Sequence, residues 1–327
     1  MFEIGLKIQK WWSNIKLRKS REIATQQVHE TKISLLIISL GLKLFGLALF
    51  SLIILFPFFF MIMVSLMPRE QADALKTTFT LIPQEWTWSN FAVAATTASS
   101  STKYFDAFFL TFTNVLFSVV VKTFVTMIAG YAFSLKKWKF KNVLWSLFMA
   151  LLVLPEVALL SGQYRVIILL DEVTHIRNYF TGIISVIALP FIASIFTALM
   201  YRNAFSAIPN RLKEVATVDG AVGARYFFKI AVPMVSPTTL TVVILTALAS
   251  WNSFLWPSLV ANGDLKVLSL WLFDVGSVLQ EDGQVITLRS IKLAGAILSI
   301  APMFGFYLLF RKRIMASISR QGSTIKG

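Results

Sequence analysis

Long apolar runs alternate with short polar or charged segments along most of this chain. A helix needs about 20 mostly apolar residues to cross a bilayer, and six runs come close to or exceed that length. They predict transmembrane helices over residues 41–67, 107–135, 143–160, 181–201, 237–261 and 291–310. The pattern therefore predicts an all-α, polytopic membrane protein whose membrane domain occupies residues 35–310.

Composition supports this class and excludes several kinds of chemistry. Hydrophobic residues make up 56% of the chain and charged residues only 14%, whereas soluble domains carry about 25% charged residues. The chain has no cysteine, which excludes disulfides, thiolate metal sites and cysteine nucleophiles. Its two histidines, His29 and His175, fall on opposite predicted sides of the membrane and cannot share a metal. We therefore expect no metal site.

The basic residues predict the orientation of the spans. With the N-terminus inside, segments 1–43, 136–142, 201–230 and 311–327 hold 22 Lys and Arg residues, against 8 in the outer segments. Because basic residues concentrate on the cytoplasmic side, both termini are predicted to be cytoplasmic. The net charge of +15 is then mainly a topological signal, with attraction to anionic membrane lipid as a second effect. No nucleic-acid-binding module is visible, so we expect no nucleic-acid partner.

Residues 1–34 form a basic N-terminal segment with its own pattern. Apolar side chains recur at helical spacing among lysines and arginines, at Ile4, Ile8, Trp11, Trp12 and Ile15. Such a pattern predicts a cytoplasmic amphipathic helix lying in the membrane interface. The alternative is a solvated tail that only enforces the topology.

A polar island from Glu214 to Pro233 separates the fourth and fifth predicted spans, within a loop over residues 202–233. A short helix is predicted here, with Pro209 in its first turn or Asn210 as its cap. Gly220 is placed to end that helix, because glycine accepts a positive φ at little cost. Tyr226, Phe227 and Ile230 then offer an apolar edge that can pack back on the bundle. An ordinary amphipathic loop helix is the alternative interpretation.

The island reads Glu-x-Ala, three residues, Gly, nine residues, Ile-x-x-Pro. This order resembles the "EAA" loop in permease subunits of binding-protein-dependent ABC importers. Further segments resemble carbohydrate-importer permeases related to the smaller permease subunit of the maltose transporter: Leu81-Ile-Pro-x-x-Trp-Thr-Trp-x-Asn-Phe91, Gly130-Tyr-Ala-Phe133, Phe205-x-x-Ile-Pro209, Trp251-Asn-x-Phe254 and Gly322-Ser-Thr-Ile-Lys-Gly327. Val215 stands where the family usually has alanine, and the first 34 residues are longer and more basic than that subunit's.

The resemblance implies an alternating-access importer in a bacterial cell membrane. This chain would form half of the pathway beside a second homologous permease subunit, with an ATPase dimer beneath and an external solute-binding protein above. By resemblance, the residues that couple to the ATPase are Glu214, Ala216, Asp219 and Gly220, and the C-terminal contacts to it are Gly322, Lys326 and Gly327. No Walker loop occurs in this chain, so no cofactor is expected here, and ATP and Mg²⁺ would be held by the ATPase.

Polar and charged residues within the spans are candidates for the solute path. Charged groups are costly there and usually face a bundle interior or a cavity, which singles out Lys122 and Glu156. The two can form a structural ion pair or contact solute. Amides and aromatic rings suit the hydroxyls and C–H faces of sugars, and the further candidates are Asn114, Gln163, Tyr164, Trp251, Asn252 and Trp256. Each of these six can equally serve helix packing or the membrane interface.

The predicted function is therefore a transport subunit, not an enzyme, for a sugar or oligosaccharide. The same architecture can import another polar solute such as a glycerol phosphate. A self-sufficient secondary transporter is a third hypothesis, but it predicts internal repeats and ion-coupling carboxylates. The sequence shows no clear repeat and only Glu156 as such a carboxylate. A purely structural membrane protein would not explain the cytoplasmic loop.

Overall fold

The computed structural model describes residues 11–12, 33–96, 102–135, 138–261, 263, 265–279 and 284–323, and at 33–36, 156 and 313–323 it describes only the backbone. The chain divides into two compact units, Met1–Phe59 and Phe60–Gly327. The predicted N-terminal amphipathic helix lies almost wholly outside the described residues. Of its residues, Trp11 and Trp12 are described, with exposed rings in edge-to-face contact.

Helices account for most of the described chain. In chain order they are α1 (Ile33–Ser65), α2 (Arg69–Ala74), α3 (Ser89–Thr96), α4 (Tyr104–Ser134), α5 (Lys141–Leu151), α6 (Glu156–Thr174), α7 (Phe180–Ala188), α8 (Ile195–Ser206), α9 (Asn210–Val218), α10 (Gly223–Tyr226), α11 (Val232–Met234), α12 (Ser236–Trp251), α13 (Leu255–Val260), α14 (Leu268–Asp274) and α15 (Arg289–Ser323). An antiparallel hairpin, β1 (Ser277–Leu279) and β2 (Val285–Thr287), precedes α15. The all-α prediction did not include this hairpin.

Three of the described helices are each long and apolar enough to cross a membrane, over Ile37–Ser65, Tyr104–Ser134 and Arg289–Lys312. Two bent helix pairs raise that number to five if each pair counts as one span. Phe180–Phe191 joins Ile195–Ser206 with a bend of 62°, and Gly223–Met234 joins Ser236–Trp251 with a bend of 71°. The prediction of a polytopic helical membrane protein is confirmed.

The third predicted span, 143–160, is not one helix, so the count of six is not reproduced. Helix α5 ends at Leu151, and α6 begins at Glu156 directly after Pro155. Proline disfavours the helical conformation of the residue before it and has no N–H to donate. The chain therefore leaves α5 through tightened turns, in which the N–H of Leu154 donates to the carbonyl of Leu151 at 3.2 Å.

Polar side chains satisfy the backbone where other spans break. At the start of α8, the hydroxyl oxygen of Ser194 accepts from the N–H of Thr197 at 3.4 Å, as expected of an N-cap residue. At the end of α12, the carbonyl of Leu248 accepts from the backbone N–H of Asn252 at 3.1 Å and from the side-chain amide of the same residue at 2.9 Å. Such partners are needed because lipid offers no hydrogen bonds to a freed backbone group.

The segment between α1 and α3 is fixed by two amide side chains. The Asn90 Nδ2 group donates to the carbonyls of Ser65 and Met67, both at 2.9 Å. The Gln71 side chain donates to the carbonyl of Ile82 at 3.0 Å and accepts from the N–H of Gln84 at 2.9 Å. These bonds explain the Asn of the predicted outer-loop motif as a clamp on the end of α1.

Helix α4 lies at the centre of the second unit and crosses α8 closely at Gly130. A Cβ atom at Gly130 would lie 2.4 Å from the Cβ of Tyr201 and 2.8 Å from the backbone nitrogen of Arg202. Both neighbours are too rigid to yield, since one is a Cβ and the other is backbone. Only glycine permits this crossing, as is common where membrane helices approach closely.

We predict that Gly130→Ala destabilises the protein, because the methyl group forces α4 and α8 apart. The cost should be about 1–3 kcal/mol, the range for overpacking a well-packed site. Thermal unfolding of the purified protein in detergent measures it. Gly162→Ala is the matched control, since nothing lies within 4 Å of a Cβ built at this helical position. Equal apparent Tm values for the two variants would contradict the prediction.

Candidate functional site

The predicted loop helix is α9, which begins at Asn210 directly after Pro209. It ends in a Schellman motif. The N–H of Ala221 donates to the carbonyl of Ala216 at 2.8 Å, and the N–H of Gly220 donates to that of Thr217 at 3.1 Å. Gly220 has a φ of +70°, so the predicted role of this glycine as the helix terminator is confirmed.

One side of the loop packs onto the spans through an apolar group that we call the coupling cluster. Its buried members are Tyr201, Phe205, Ile208, Ala216, Tyr226, Ala231, Val235 and Val242. Phe227 and Ile230 pack against it, so the predicted apolar edge of the loop does contact the bundle. The ring of Tyr131, on α4, lies 4.7 Å from that of Phe227 and 5.2 Å from that of Phe205 between centroids. The loop is thus anchored to α4, α8 and α12.

The opposite side of α9 is exposed and carries both charged and apolar groups. Glu214, Asp219 and Gly220 are exposed, and Val215 and Val218 expose 51% and 88% of their surface. Ala216, by contrast, is only 4% exposed. Three of the four residues that the resemblance assigns to coupling are therefore exposed, while Ala216 is buried against the spans.

A cavity of about 330 Å³ lies between α4, α6, α7, α12 and α13. Two polar stripes face it. On α4, Asn114, Ser118 and Lys122 recur every four residues, so they share one helix face. On α12, Thr246 and Ser250 do the same. The apolar part of the cavity wall includes Val157, Leu160, Phe254 and Trp256.

The two stripes meet in a short chain of hydrogen bonds. The Asn114 Nδ2 group donates to the Ser250 hydroxyl at 3.0 Å, and that hydroxyl donates to the Ser118 hydroxyl at 3.4 Å. The Oδ1 atom of Asn114 and the hydroxyl of Thr246 are buried without a partner. Each such group costs about 1–3 kcal/mol while it has no partner, and buried polar groups in native proteins are nearly always paired with protein or ordered water.

The structure gives the predicted path residues different surroundings. Asn114, Lys122 and Trp256 line the cavity, and the Trp256 indole N–H donates to the carbonyl of Val186 at 3.1 Å. Trp251 packs edge to face against Phe108, with ring centroids 6.2 Å apart. Asn252 caps α12, as described above. These last two side chains therefore have packing and capping roles.

The remaining predicted residues lie apart from the described cavity wall or outside the described side chains. Gln163 and Tyr164 are on α6 and do not line the cavity. Glu156 is the first residue of α6, but its side chain is not described. At the C-terminus, Gly322 lies in the last turn of α15, while Lys326 and Gly327 are outside the described residues. No group of three metal-ligating side chains is found among the described residues.

Several cavity residues were missed by the sequence prediction, which selected large polar and aromatic types. Ser118, Thr246, Ser250 and Ser253 all line the cavity. Three of them had a signal in the sequence, which was helical periodicity. Ser118 lies four residues after Asn114 on α4, and Ser250 lies four residues after Thr246 on α12, as residues along one helix face do.

Comparison with known proteins places the chain in a family. Residues 94–314 match the family described as binding-protein-dependent transport system inner membrane component. The chain is 40% identical to the probable ABC transporter permease protein MG189 homolog of Mycoplasma pneumoniae, over 97% of this chain and 98% of that protein. It is 26% identical to the arabinooligosaccharides transport system permease protein AraQ of Bacillus subtilis, over 88% of this chain and 96% of that protein.

A third relative and a solved structure agree with these. The sn-glycerol-3-phosphate transport system permease protein UgpE of Yersinia enterocolitica is 24% identical, over 80% of this chain and 89% of that protein. The fold is shared with a chain of a bacterial ABC transporter involved in the import of the acidic polysaccharide alginate, at a TM-score of 0.67 and 17% identity, covering 86% of this chain and 98% of that one. This chain therefore belongs to the family of inner membrane components of binding-protein-dependent transport systems.

Proposed function

We propose that this chain is the permease subunit of an importer for a sugar or oligosaccharide and that α9 couples it to a separate ATPase. As a family member it is a transport subunit and not an enzyme. The observation that carries the coupling role is the construction of α9. The helix is closed by a Schellman motif, is anchored by Ala216, and exposes Glu214, Val218 and Asp219.

The loop and the cavity share helices, which supports a mechanical link between them. On α12, Val242 belongs to the coupling cluster and Thr246, one turn later, lines the cavity. On α4, Tyr131 packs against the cluster while Lys122 faces the cavity. A displacement of α9 by an ATPase would therefore be transmitted to the cavity wall along two continuous helices.

The proposed partners follow from this assignment. An ATPase dimer would hold α9 and the C-terminal residues Gly322, Lys326 and Gly327, and would bind the ATP and Mg²⁺. A second permease subunit would complete the pathway, and an external solute-binding protein would deliver the solute. The proposed orientation places both termini in the cytoplasm, because it puts α9 and most basic residues on that side.

A glycerol phosphate is the second candidate solute. It is favoured by the similarity to UgpE and by Lys122 in the cavity wall. A sugar is favoured by the similarity to AraQ and by the hydroxyl and amide groups of the two stripes.

The orientation can be tested by cysteine labelling, because the chain has no cysteine of its own. In intact cells an impermeant maleimide should label a Thr77→Cys variant, which is on the outer side, and not a Lys213→Cys variant. Lys213→Cys should be labelled once the membrane is opened. The reverse pattern in intact cells would overturn the orientation.

We predict that Glu214→Lys leaves the chain in the membrane but releases the ATPase and abolishes solute uptake, because the exposed charge in the proposed contact is reversed. Gly220→Val should act in the same direction, since a β-branched residue at φ +70° is strained by roughly 1–2 kcal/mol. Uptake and ATPase retention on a tagged complex measure both effects.

Glu172→Lys is the control for Glu214→Lys, as it makes the same charge reversal at an exposed residue of α6. It should leave uptake and ATPase retention unchanged. Normal uptake by Glu214→Lys with the ATPase still bound would refute the coupling role of α9.

We predict an interaction between Lys122 and Glu156. Lys122 lines the same cavity as Val157 and Leu160, which belong to the helix that starts at Glu156. Removing one member of a buried ion pair leaves the other charge uncompensated. Lys122→Met or Glu156→Met alone should therefore reduce expression and uptake more than the double variant does. If the two single effects simply add in the double variant, the residues act independently.

A further inference from the structure

We infer that the inner ends of α4, α5 and α8 form a binding site for the phosphate group of an anionic phospholipid, carried by Arg202 and Lys141 beside the ring of Trp145. None of these three residues lines the cavity or belongs to the coupling cluster. The juxtaposition behind the inference is that of two cations and an aromatic ring where a span ends. Only its cytoplasmic placement rests on the proposed function, through the proposed orientation.

The depth of the site follows from the crossing at Gly130. A Cβ atom at Gly130 would lie 2.8 Å from the backbone nitrogen of Arg202, so Arg202 passes α4 about one turn before that helix ends at Ser134. The headgroup region begins where the hydrocarbon core of the bilayer ends, and it adds several ångströms on each side. Arg202 therefore lies close to the level of the lipid phosphates.

The Arg202 guanidinium has an aromatic contact but no acidic partner in the part of the chain that the structure describes. Its Cζ atom lies 4.3 Å from the centroid of the Trp145 ring, and neither described ion pair involves it. Its Nε atom is buried without a partner, so a ligand can approach only the two terminal nitrogens. A guanidinium presents these nitrogens as a planar fork that matches the oxygens of a phosphate.

Lys141 supplies the second cation. It lies four residues before Trp145 on α5, so the two side chains share one helix face. Its Nζ atom donates to the carbonyl of Leu135, the residue that follows the end of α4. An ammonium group has three protons to donate, so two of them remain for a ligand.

Aromatic packing holds the site in place. Phe133, near the end of α4, is buried, and its ring centroid lies 4.9 Å from that of Trp145 and 5.5 Å from that of Trp138. The Trp138 indole N–H donates to the carbonyl of Ala132 at 2.9 Å. The position of the cations is therefore set by contacts within the protein, and no ligand is needed to form them.

The side chains around the site favour lipid as its occupant. Phe140 has a φ of +68°, which is strained for a bulky residue, and its exposed ring lies 5.2 Å from the Lys139 Nζ atom. Val143 and Leu147, further along α5, are exposed apolar residues. Aromatic and basic residues concentrate at the inner membrane interface, and basic pockets between spans on that side bind anionic headgroups.

The experiment measures lipid binding to the purified full-length chain in detergent. Phosphatidylglycerol, which is anionic, and phosphatidylcholine, which is zwitterionic, are titrated separately, and bound lipid is counted by native mass spectrometry. We expect one phosphatidylglycerol molecule to bind about tenfold more tightly than phosphatidylcholine, because two basic residues near an anionic group each favour it. The apparent Tm without lipid checks that each variant is folded.

Arg202→Gln and Lys141→Gln should each weaken phosphatidylglycerol binding about fivefold, the change expected for one basic residue, and leave phosphatidylcholine binding unchanged. Arg202→Lys keeps the charge but loses the planar fork, so its affinity should lie between those of Arg202→Gln and the unaltered chain. The matched control is Arg225→Gln, which removes an exposed cation of α10 on the same proposed side. It should leave the affinity unchanged. If Arg202→Gln does not fold, Lys141→Gln carries the test.

Equal weakening by Arg225→Gln and the site variants would overturn the inference, because the attraction would then be diffuse. Equal affinities for the two lipids would also overturn it. Displacement of phosphatidylglycerol by inorganic phosphate at constant ionic strength would assign the site to a free anion and refute the lipid assignment. Binding in detergent depends neither on the orientation of the chain nor on the coupling role of α9, which the cysteine-labelling and Glu214→Lys experiments test separately.

Discussion

The crossing of α4 and α8 at Gly130 is the contact on which the other features of the second unit depend. It brings Tyr201 and Phe205 against Tyr131, and α8 then leads through a short turn into α9. In a bilayer, burial of apolar surface does not drive helices together, because lipid tails are equally apolar. Close van der Waals contact must do so instead, and a missing side chain is what allows it. The position of the coupling loop therefore depends on the lack of a Cβ atom at Gly130.

The spans could be predicted from the sequence because each one depends mainly on its own residues. A long apolar run forms a helix in lipid whatever its neighbours are, because its backbone must satisfy itself. Breaks within such runs are a different matter. Pro57 and Pro302 lie inside continuous helices, whereas Pro155 separates two. The local rule for proline is the same in all three cases, so it does not by itself tell which of them interrupts its helix.

The coupling loop was predictable in more detail than the cavity, for a related reason. Pro209 and Gly220 act through their own backbone geometry. The two ends of α9, which these residues mark, could therefore be predicted from the sequence alone. The cavity needs two helices that are more than 100 residues apart in sequence, and its hydrogen bond from Asn114 to Ser250 leaves no local trace. Selection by residue type favoured Trp251 and Asn252, which serve packing and capping. Helical periodicity was the better guide to this wall.

The two ends of the loop have different local structures, and together these structures limit how the sequence of the loop can change. The Schellman motif fixes where α9 stops, and a π-helical stretch over Phe227–Ala231 leads into α11 with Phe227 among the aromatic rings. A residue gained or lost within the continuous helical run 223–234 would turn the residues after it by about 100° and carry Ile230 off the cluster. Exposed residues such as Val218 can be substituted over evolutionary time. The number of residues in the segment, by contrast, cannot change. Within a lineage this segment should accumulate substitutions and almost no insertions or deletions.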